Sequence, residues 1–109
     1  MSNLKETGKL LYGYADKDGN LHYDFELRLL TIRGEMNTLN ILLSEYPNLD
    51  ELPETERFTI ERAVTLSETL RVGGQKLTVD EILNLASEEF TILLDAEMNL
   101  RKKRSEPTQ

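Results

Sequence analysis

The sequence predicts an α+β fold in which an N-terminal antiparallel β-hairpin packs against about three α-helices. In residues 21–29 every odd position is apolar and every even position is polar, which is typical of a strand with one face in water. Farther along the chain, apolar residues recur at helical spacing instead. Because a lone hairpin is only marginally stable in water, we expect these helices to cover its apolar face.

The segment before this strand predicts the turn and the second strand of the hairpin. Residues 15–20 are rich in Asp, Asn and Gly, which favour turns, and before them Leu10, Tyr12 and Tyr14 alternate on one predicted face. The carboxylates of Asp16 and Asp18 superficially resemble a calcium loop. The twelfth position counted from Asp16 is Leu27, where such a loop requires a glutamate, so we predict a hairpin turn instead.

Two helices are predicted after the hairpin. The first spans about 34–46, ends before Pro47, and has an apolar stripe of Met36, Leu39, Leu42, Leu43 and Tyr46. The second begins at Pro53, runs to about Leu70 and stops before Gly73 and Gly74. Its narrow apolar stripe predicts a peripheral position. An alternative interpretation places short strands at 68–72 or 75–77, around the glycine pair.

A third helix is predicted to begin after Thr78, because Thr78 and Glu81 have the spacing of a capping box. Its predicted stripe comprises Val79, Ile82, Leu83, Ala86, Phe90, Leu93, Leu94 and Glu97, and four more apolar residues lie off it: Leu85, Ile92, Met98 and Leu100. One explanation of this surplus is a helix between the sheet and another helix. The other is a groove for a partner or an oligomer interface.

The length of 109 residues indicates one domain, over residues 8–100, with a flexible N-terminus at 1–7 and a basic, disordered tail at 101–109. The net charge is −7, divided into −10 for residues 1–100 and +3 for the tail. Such an acidic body repels phosphate backbones and argues against a nucleic-acid partner. The basic run Arg101–Arg104 is interpreted either as a patch for an anion or a partner, or as a cationic helix end that stabilises the helix dipole.

The chain offers few residues for catalysis. It has no cysteine, and His22 is its one histidine, on the predicted wet face of a strand. We therefore predict no catalytic residue, no metal site and no cofactor, and we expect a protein that is not an enzyme. No apolar run is long enough for a signal peptide or a membrane span, so a cytoplasmic protein without a membrane partner is expected.

The order of these elements resembles the tail assembly chaperones of Mu-like contractile-tailed phages and prophages, over residues 8–100. In that family a strand written leucine-arginine-x-leucine-threonine leads into the first helix, and Leu27-Arg28 and Leu30-Thr31 match it. The family's last helix has an acidic residue before a run of leucines. Glu89 followed by Leu93-Leu94 approximates that pattern, with glutamate where aspartate is more usual.

The resemblance implies a small non-enzymatic protein of the host cytoplasm that binds the aggregation-prone tape measure protein until tail tube subunits polymerise around it. The tail tube protein is a further candidate partner, and a homo-oligomer stays open. Such a chaperone needs exposed apolar surface on an acidic body. We expect that surface on the third helix, at Leu85, Ile92, Leu94, Met98 and Leu100.

Two other classes stay open at this point. One is an acidic DNA mimic that inhibits a nucleic-acid enzyme, although Arg57, Arg62 and Arg71 interrupt the carboxylates here. The other is a small dimeric structural or regulatory module.

Overall fold

A computed structural model describes residues 4–105 of the chain and the side chains of residues 4–103. Its elements are β1 (Lys5–Ala15), β2 (Leu21–Arg28), α1 (Ile32–Glu45), a short 3-10 turn (Leu49–Glu51), α2 (Glu54–Thr69), β3 (Leu70–Val72), β4 (Gln75–Lys76), α3 (Val79–Leu83) and α4 (Ser87–Ser105). The strands form one four-stranded antiparallel sheet in the order β1-β2-β3-β4. The predicted α+β class and the N-terminal hairpin are confirmed.

A wide bulge interrupts β1 inside the hairpin. Lys9 pairs with Asp24 and Tyr14 pairs with His22, so residues 10–13 lie opposite Tyr23 alone. The bulge breaks the strict alternation of faces that the sequence suggests. Leu10 and Tyr14 are buried as predicted, but the prediction for Tyr12 is wrong, because its side chain is exposed.

The carboxylate of Glu89, in the first turn of α4, fixes this bulge. The backbone N–H of Leu11 donates to its Oε1 at 2.7 Å, and those of Tyr12 and Gly13 donate to its Oε2 at 2.8 and 3.0 Å. The Glu89 side chain has no exposed surface. Since a buried carboxylate needs several donors, the bulge amides and Glu89 satisfy each other and attach β1 to α4.

The helix α2 leads straight into β3, and Gly73 and Gly74 form the turn to β4. Both glycines have positive φ, 59° and 80°, as a two-residue hairpin turn requires. The predicted end of the second helix is close to the observed one at Thr69. The alternative interpretation is also confirmed in part, because short strands do follow around the glycine pair.

The prediction that the second helix is peripheral is wrong. Ala63, Val64 and Leu66 of α2 have no exposed surface. They belong to a core that comprises Leu10, Tyr14, Phe25, Leu27, Leu70, Val72, Leu77, Val79, Ile82, Leu93, Ala96 and Leu100 as well. The helix is central because it contacts α1 on one side and α3 on another, which a count of its apolar residues does not reveal.

The predicted single third helix is two helices, α3 and α4, separated at residues 84–86. Asn84 ends α3, where its side-chain amide donates to the carbonyl of Asp80 at 2.9 Å and satisfies a carbonyl at the helix end. Ser87 then begins α4, with Glu88 and Glu89 in the first turn. The signal was present in the sequence, because Asn and Ser favour helix ends and carboxylates favour a helix start.

Both predicted termini need correction. Residues 5–7 are part of β1, and residues 101–105 are part of α4. The end of α4 contacts the start of β1, because Lys103 Nζ lies 2.7 Å from Glu6 Oε1 and donates to the Lys5 carbonyl at 3.2 Å. Residues 1–3 and 106–109, the outer parts of the predicted flexible ends, lie outside the described residues.

The predicted capping box is present at the start of α3. The Glu81 backbone N–H donates to Thr78 Oγ1 at 3.1 Å, and the Thr78 N–H donates to Glu81 Oε1 at 2.9 Å.

We expect Thr78→Ala to lower the free energy of unfolding by about 1 kcal/mol and the melting temperature by about 4 °C, while Thr78→Ser keeps most of the stability. Thermal melts followed by circular dichroism test this. A serine variant as unstable as the alanine variant would contradict the cap.

Candidate functional site

The residues predicted to bind a partner do not form one exposed surface. Leu100 is in the core with 5% exposure, Leu85 and Ile92 pack against the core, and Leu94 is half-buried. Met98 is the member that is mostly exposed, at 55%. The break at residues 84–86 resets the helical phase, so that Glu89, Leu93, Ala96 and Leu100 form the buried face of α4. The expected exposure of this surface is therefore wrong.

An exposed apolar face lies on α1 instead. Four residues at spacings of four, three and four positions form it, and we call it the α1 apolar face: Ile32, Met36, Leu39 and Leu43. Their exposed fractions are 85%, 56%, 49% and 75%. The spacing places all four on one side of the helix. Three of them belong to the stripe that the sequence predicts for the first helix, one of the helices that we expected to cover the hairpin.

The side of α1 opposite the apolar face is the one that packs against the rest of the protein. Its buried residues are Gly34 and Thr38, and α1 packs against α2. A Cβ on Gly34 would lie 2.9 Å from Leu30 Cδ1, so the end of the Leu30 side chain would have to shift to accommodate a larger residue. Thr31 caps the helix by accepting the Gly34 N–H at 2.9 Å. Gly34 and Thr38 are small, and Ile41 and Leu42 on the same side pack against the core. The four residues of the α1 apolar face lie on the other side, which is exposed.

A cleft of about 550 Å³ adjoins the α1 apolar face, and α1, α2, α4 and the end of β2 line it. Leu39 belongs to both the cleft and the face, so the two are continuous. Glu97 lies in this cleft with its Oε1 3.6 Å from Arg62 Nη1. Burial raises the pKa of Glu97, while Arg62 acts in the opposite direction. The cleft therefore has a mixed lining, in which six leucines lie beside threonines and charged residues that include this ion pair.

Carboxylates are frequent in the segment that follows the α1 apolar face along the chain. Residues 45–56, which we call the acidic segment, hold five exposed carboxylates and no basic residue: Glu45, Asp50, Glu51, Glu54 and Glu56. Within the described residues, none of these carboxylates takes part in an ion pair. The helix that carries the apolar face is thus followed directly by an exposed, negatively charged segment.

No protein-family model, curated protein or solved structure matches this chain. Its function must therefore be argued from its own residues. In the part of the chain that the structure describes, no helix has the length and apolar character needed to cross a membrane.

The single histidine has a role in the hairpin turn. His22 Nε2 lies 2.7 Å from Asp16 Oδ2, and Asp16 Oδ1 accepts the backbone N–H of Asp18 and of Asn20. The contact with His22, followed by the Asn20 N–H, lowers the pKa of Asp16. Asp16 thus organises the turn, as the hairpin interpretation requires. Among the described residues, no group of three or more potential ligands could hold a metal ion.

Tyr14 and Glu81 link the sheet to α3. The Tyr14 hydroxyl donates to Glu81 Oε2 at 2.8 Å, while the other oxygen of Glu81 completes the capping box. The backbone N–H of Thr78, and then the Tyr14 hydroxyl, lower the pKa of Glu81. These contacts, with those of Glu89, fix the sheet against α3 and α4. Since neither contact involves α1, its apolar face is free to receive a partner without disturbing them.

Proposed function

We propose that this protein is a non-enzymatic tail assembly chaperone of a Mu-like contractile-tailed phage or prophage. In the host cytoplasm it binds the tape measure protein and keeps it soluble while the tail tube assembles around it. The α1 apolar face is the observation that supports this most directly. A chaperone of this kind needs apolar surface for its client and a charged body that stays in solution.

The α1 apolar face is costly to expose to water without a partner. Removing apolar surface from water contributes about 25 cal/mol per Å², so covering four large side chains is worth several kcal/mol before the costs of binding. The net charge of −7 opposes self-association and precipitation in the unbound state. These properties together suit a protein that holds an apolar segment temporarily.

Co-expression with overlapping tape measure fragments tests the proposal. At least one apolar fragment that is insoluble alone is expected to become soluble and to purify with this protein at a fixed ratio. The matched control is the same fragment with its apolar residues replaced by serine, which should not be retained. If every fragment stays insoluble in the presence of this protein, the chaperone proposal is wrong.

A dimeric structural module is the second candidate, because the same α1 apolar face could be covered by another copy of the chain. Light scattering on the purified protein separates the two. A chaperone that awaits its client is expected to be a monomer. A stable dimer that dissociates when Met36 is replaced by glutamate would favour the structural module.

A further inference from the structure

We infer that the α1 apolar face is the docking surface for an amphipathic helix of another protein, and that one end of this helix carries basic residues that lie over the acidic segment. The inference rests on the proposed function and deepens it, since it names the surface and the chemistry of the client segment. It moves the contact from α4, where the sequence suggested it, to α1.

The dimensions of the α1 apolar face suit a helix. Ile32 and Leu43 are the first and last members, about 17 Å apart at the rise of an α-helix. The four side chains expose on the order of 500 Å², near the upper end of the patches found on monomeric proteins. A ridge of large side chains at spacings of three and four packs into the groove of a second helix. A client helix of about three turns would cover the ridge.

The cleft forms a pocket beside the α1 apolar face. Leu39 and Leu42 line its edge next to the ridge, and Thr38, Arg62 and Glu97 line it farther in, so it suits a long side chain of the client helix that has an apolar stem and a polar end. Anchors of this kind, buried in a pocket, usually contribute most of the binding free energy. Glu35 of α1 also lines the cleft. Arg33, nearer the start of α1, is exposed and is not among the residues that line the cleft.

The charge distribution along α1 and the acidic segment indicates which end of the client helix carries basic residues. The acidic segment follows α1 directly and holds five carboxylates without ion pairs among the described residues. The start of the helix has Arg33 and Glu35, whose charges offset each other, and Arg28 just before it pairs with Glu26. A client helix therefore gains charge complementarity when its basic residues lie at the end that meets residues 45–56.

A second copy of this chain fits the surface less well. In an antiparallel pair of α1 helices, Arg33 is the one basic residue of α1 that could face the acidic segment, which leaves most of its carboxylates unmatched. Both copies also carry a net charge of −7. One 14-residue helix face is small beside the interfaces of stable dimers, which bury well over about 1,000 Å². The observations therefore favour a basic client.

Two designed peptides test the inference on the full chain. Both are amphipathic helices of about 16 residues with the same leucine stripe, and they differ in having a lysine cluster or a glutamate cluster at the same end. Fluorescence anisotropy with labelled peptides measures binding. We expect the lysine peptide to bind at least about tenfold more tightly, and this preference to shrink as salt rises from about 50 mM to about 500 mM.

Matched variants locate the contact. Met36 and Met98 are both helical methionines, with 56% and 55% exposure, on α1 and α4 respectively. Met36→Glu is expected to weaken binding of the lysine peptide at least about tenfold, and Met98→Glu less than about twofold. The double variant Glu54→Gln and Glu56→Gln is expected to reduce the preference for lysine over glutamate without abolishing binding. Circular dichroism confirms that each variant is folded.

Several results would overturn the inference. Equal binding of the two peptides, no binding of either, or loss of binding in Met98→Glu alone would do so, as would a dimer that Met36→Glu dissociates. The same variants applied to a soluble tape measure complex separate this inference from the proposed function. If Met36→Glu leaves that complex intact, the chaperone function stands and the docking surface is elsewhere.

Discussion

Replacing Glu89 by glutamine is expected to lower the free energy of unfolding by about 3 kcal/mol and the melting temperature by about 12 °C. The three N–H groups of Leu11, Tyr12 and Gly13 donate to its two carboxylate oxygens. Glutamine has one accepting oxygen, and its amide nitrogen would bring two more donors against these amides. The loss is large because the site is fully buried, so water cannot replace the missing acceptor.

Glu88→Gln is the matched control, because Glu88 precedes Glu89 in the same helical turn and is exposed. We expect its melting temperature to change by less than about 2 °C. Hydrogen exchange adds a local measurement, since the amides of residues 11–13 should lose protection in Glu89→Gln before those of β3. A Glu89→Gln protein that melts like wild type would show that the bulge does not depend on this carboxylate.

The hairpin and the helix starts could be predicted from the sequence because short-range rules determine them. Alternation identifies β2, the Asp-rich turn identifies the connection, and the spacing of Thr78 and Glu81 identifies a cap whose geometry is present. The bulge in β1 could not be predicted in this way. It depends on Glu89, which is 76 to 78 residues away in the chain.

The largest error concerns α1, and it has a physical explanation. Periodicity shows that a helix has an apolar face, but it does not show what covers that face. The chain buries the side of α1 that holds Gly34 and Thr38, because small residues allow close packing against α2. The predicted stripe is thus divided: Leu42 and Tyr46 pack against the core, whereas Met36, Leu39 and Leu43 are exposed.

The exposure expected for the predicted partner residues on α4 differs from the observed one for another reason. Four of its five residues, all except Leu94, were chosen because they lie off the stripe of one long helix, but that stripe was drawn through the break at residues 84–86. With α4 considered alone, Leu100 falls on the buried face with Leu93 and Ala96. An error in one helix boundary therefore changed which residues were expected at the surface.

Replacing Gly13 by alanine is the second change with a large expected effect. Gly13 has a φ of 89°, and a Cβ there would lie 3.0 Å from Tyr23 Cε1 and 3.2 Å from the His22 carbonyl oxygen. The left-handed conformation alone costs an alanine about 1 kcal/mol, and the bulge must also shift to relieve the contacts. We expect a total loss of about 2 kcal/mol and a melting temperature lower by about 9 °C.

Gly19→Ala separates the cost of the left-handed backbone from the cost of the close contacts. Gly19 has a similar φ of 84°, but nothing lies within 4 Å of its Cβ position. This control should lose only the conformational part, about half as much as Gly13→Ala. The double variant Gly13→Ala and Glu89→Gln should be less unstable than the sum of the single losses, because both changes disrupt the bond between the Gly13 N–H and Glu89. Strictly additive losses would mean that a shift of the bulge at residue 13 does not weaken its contact with Glu89.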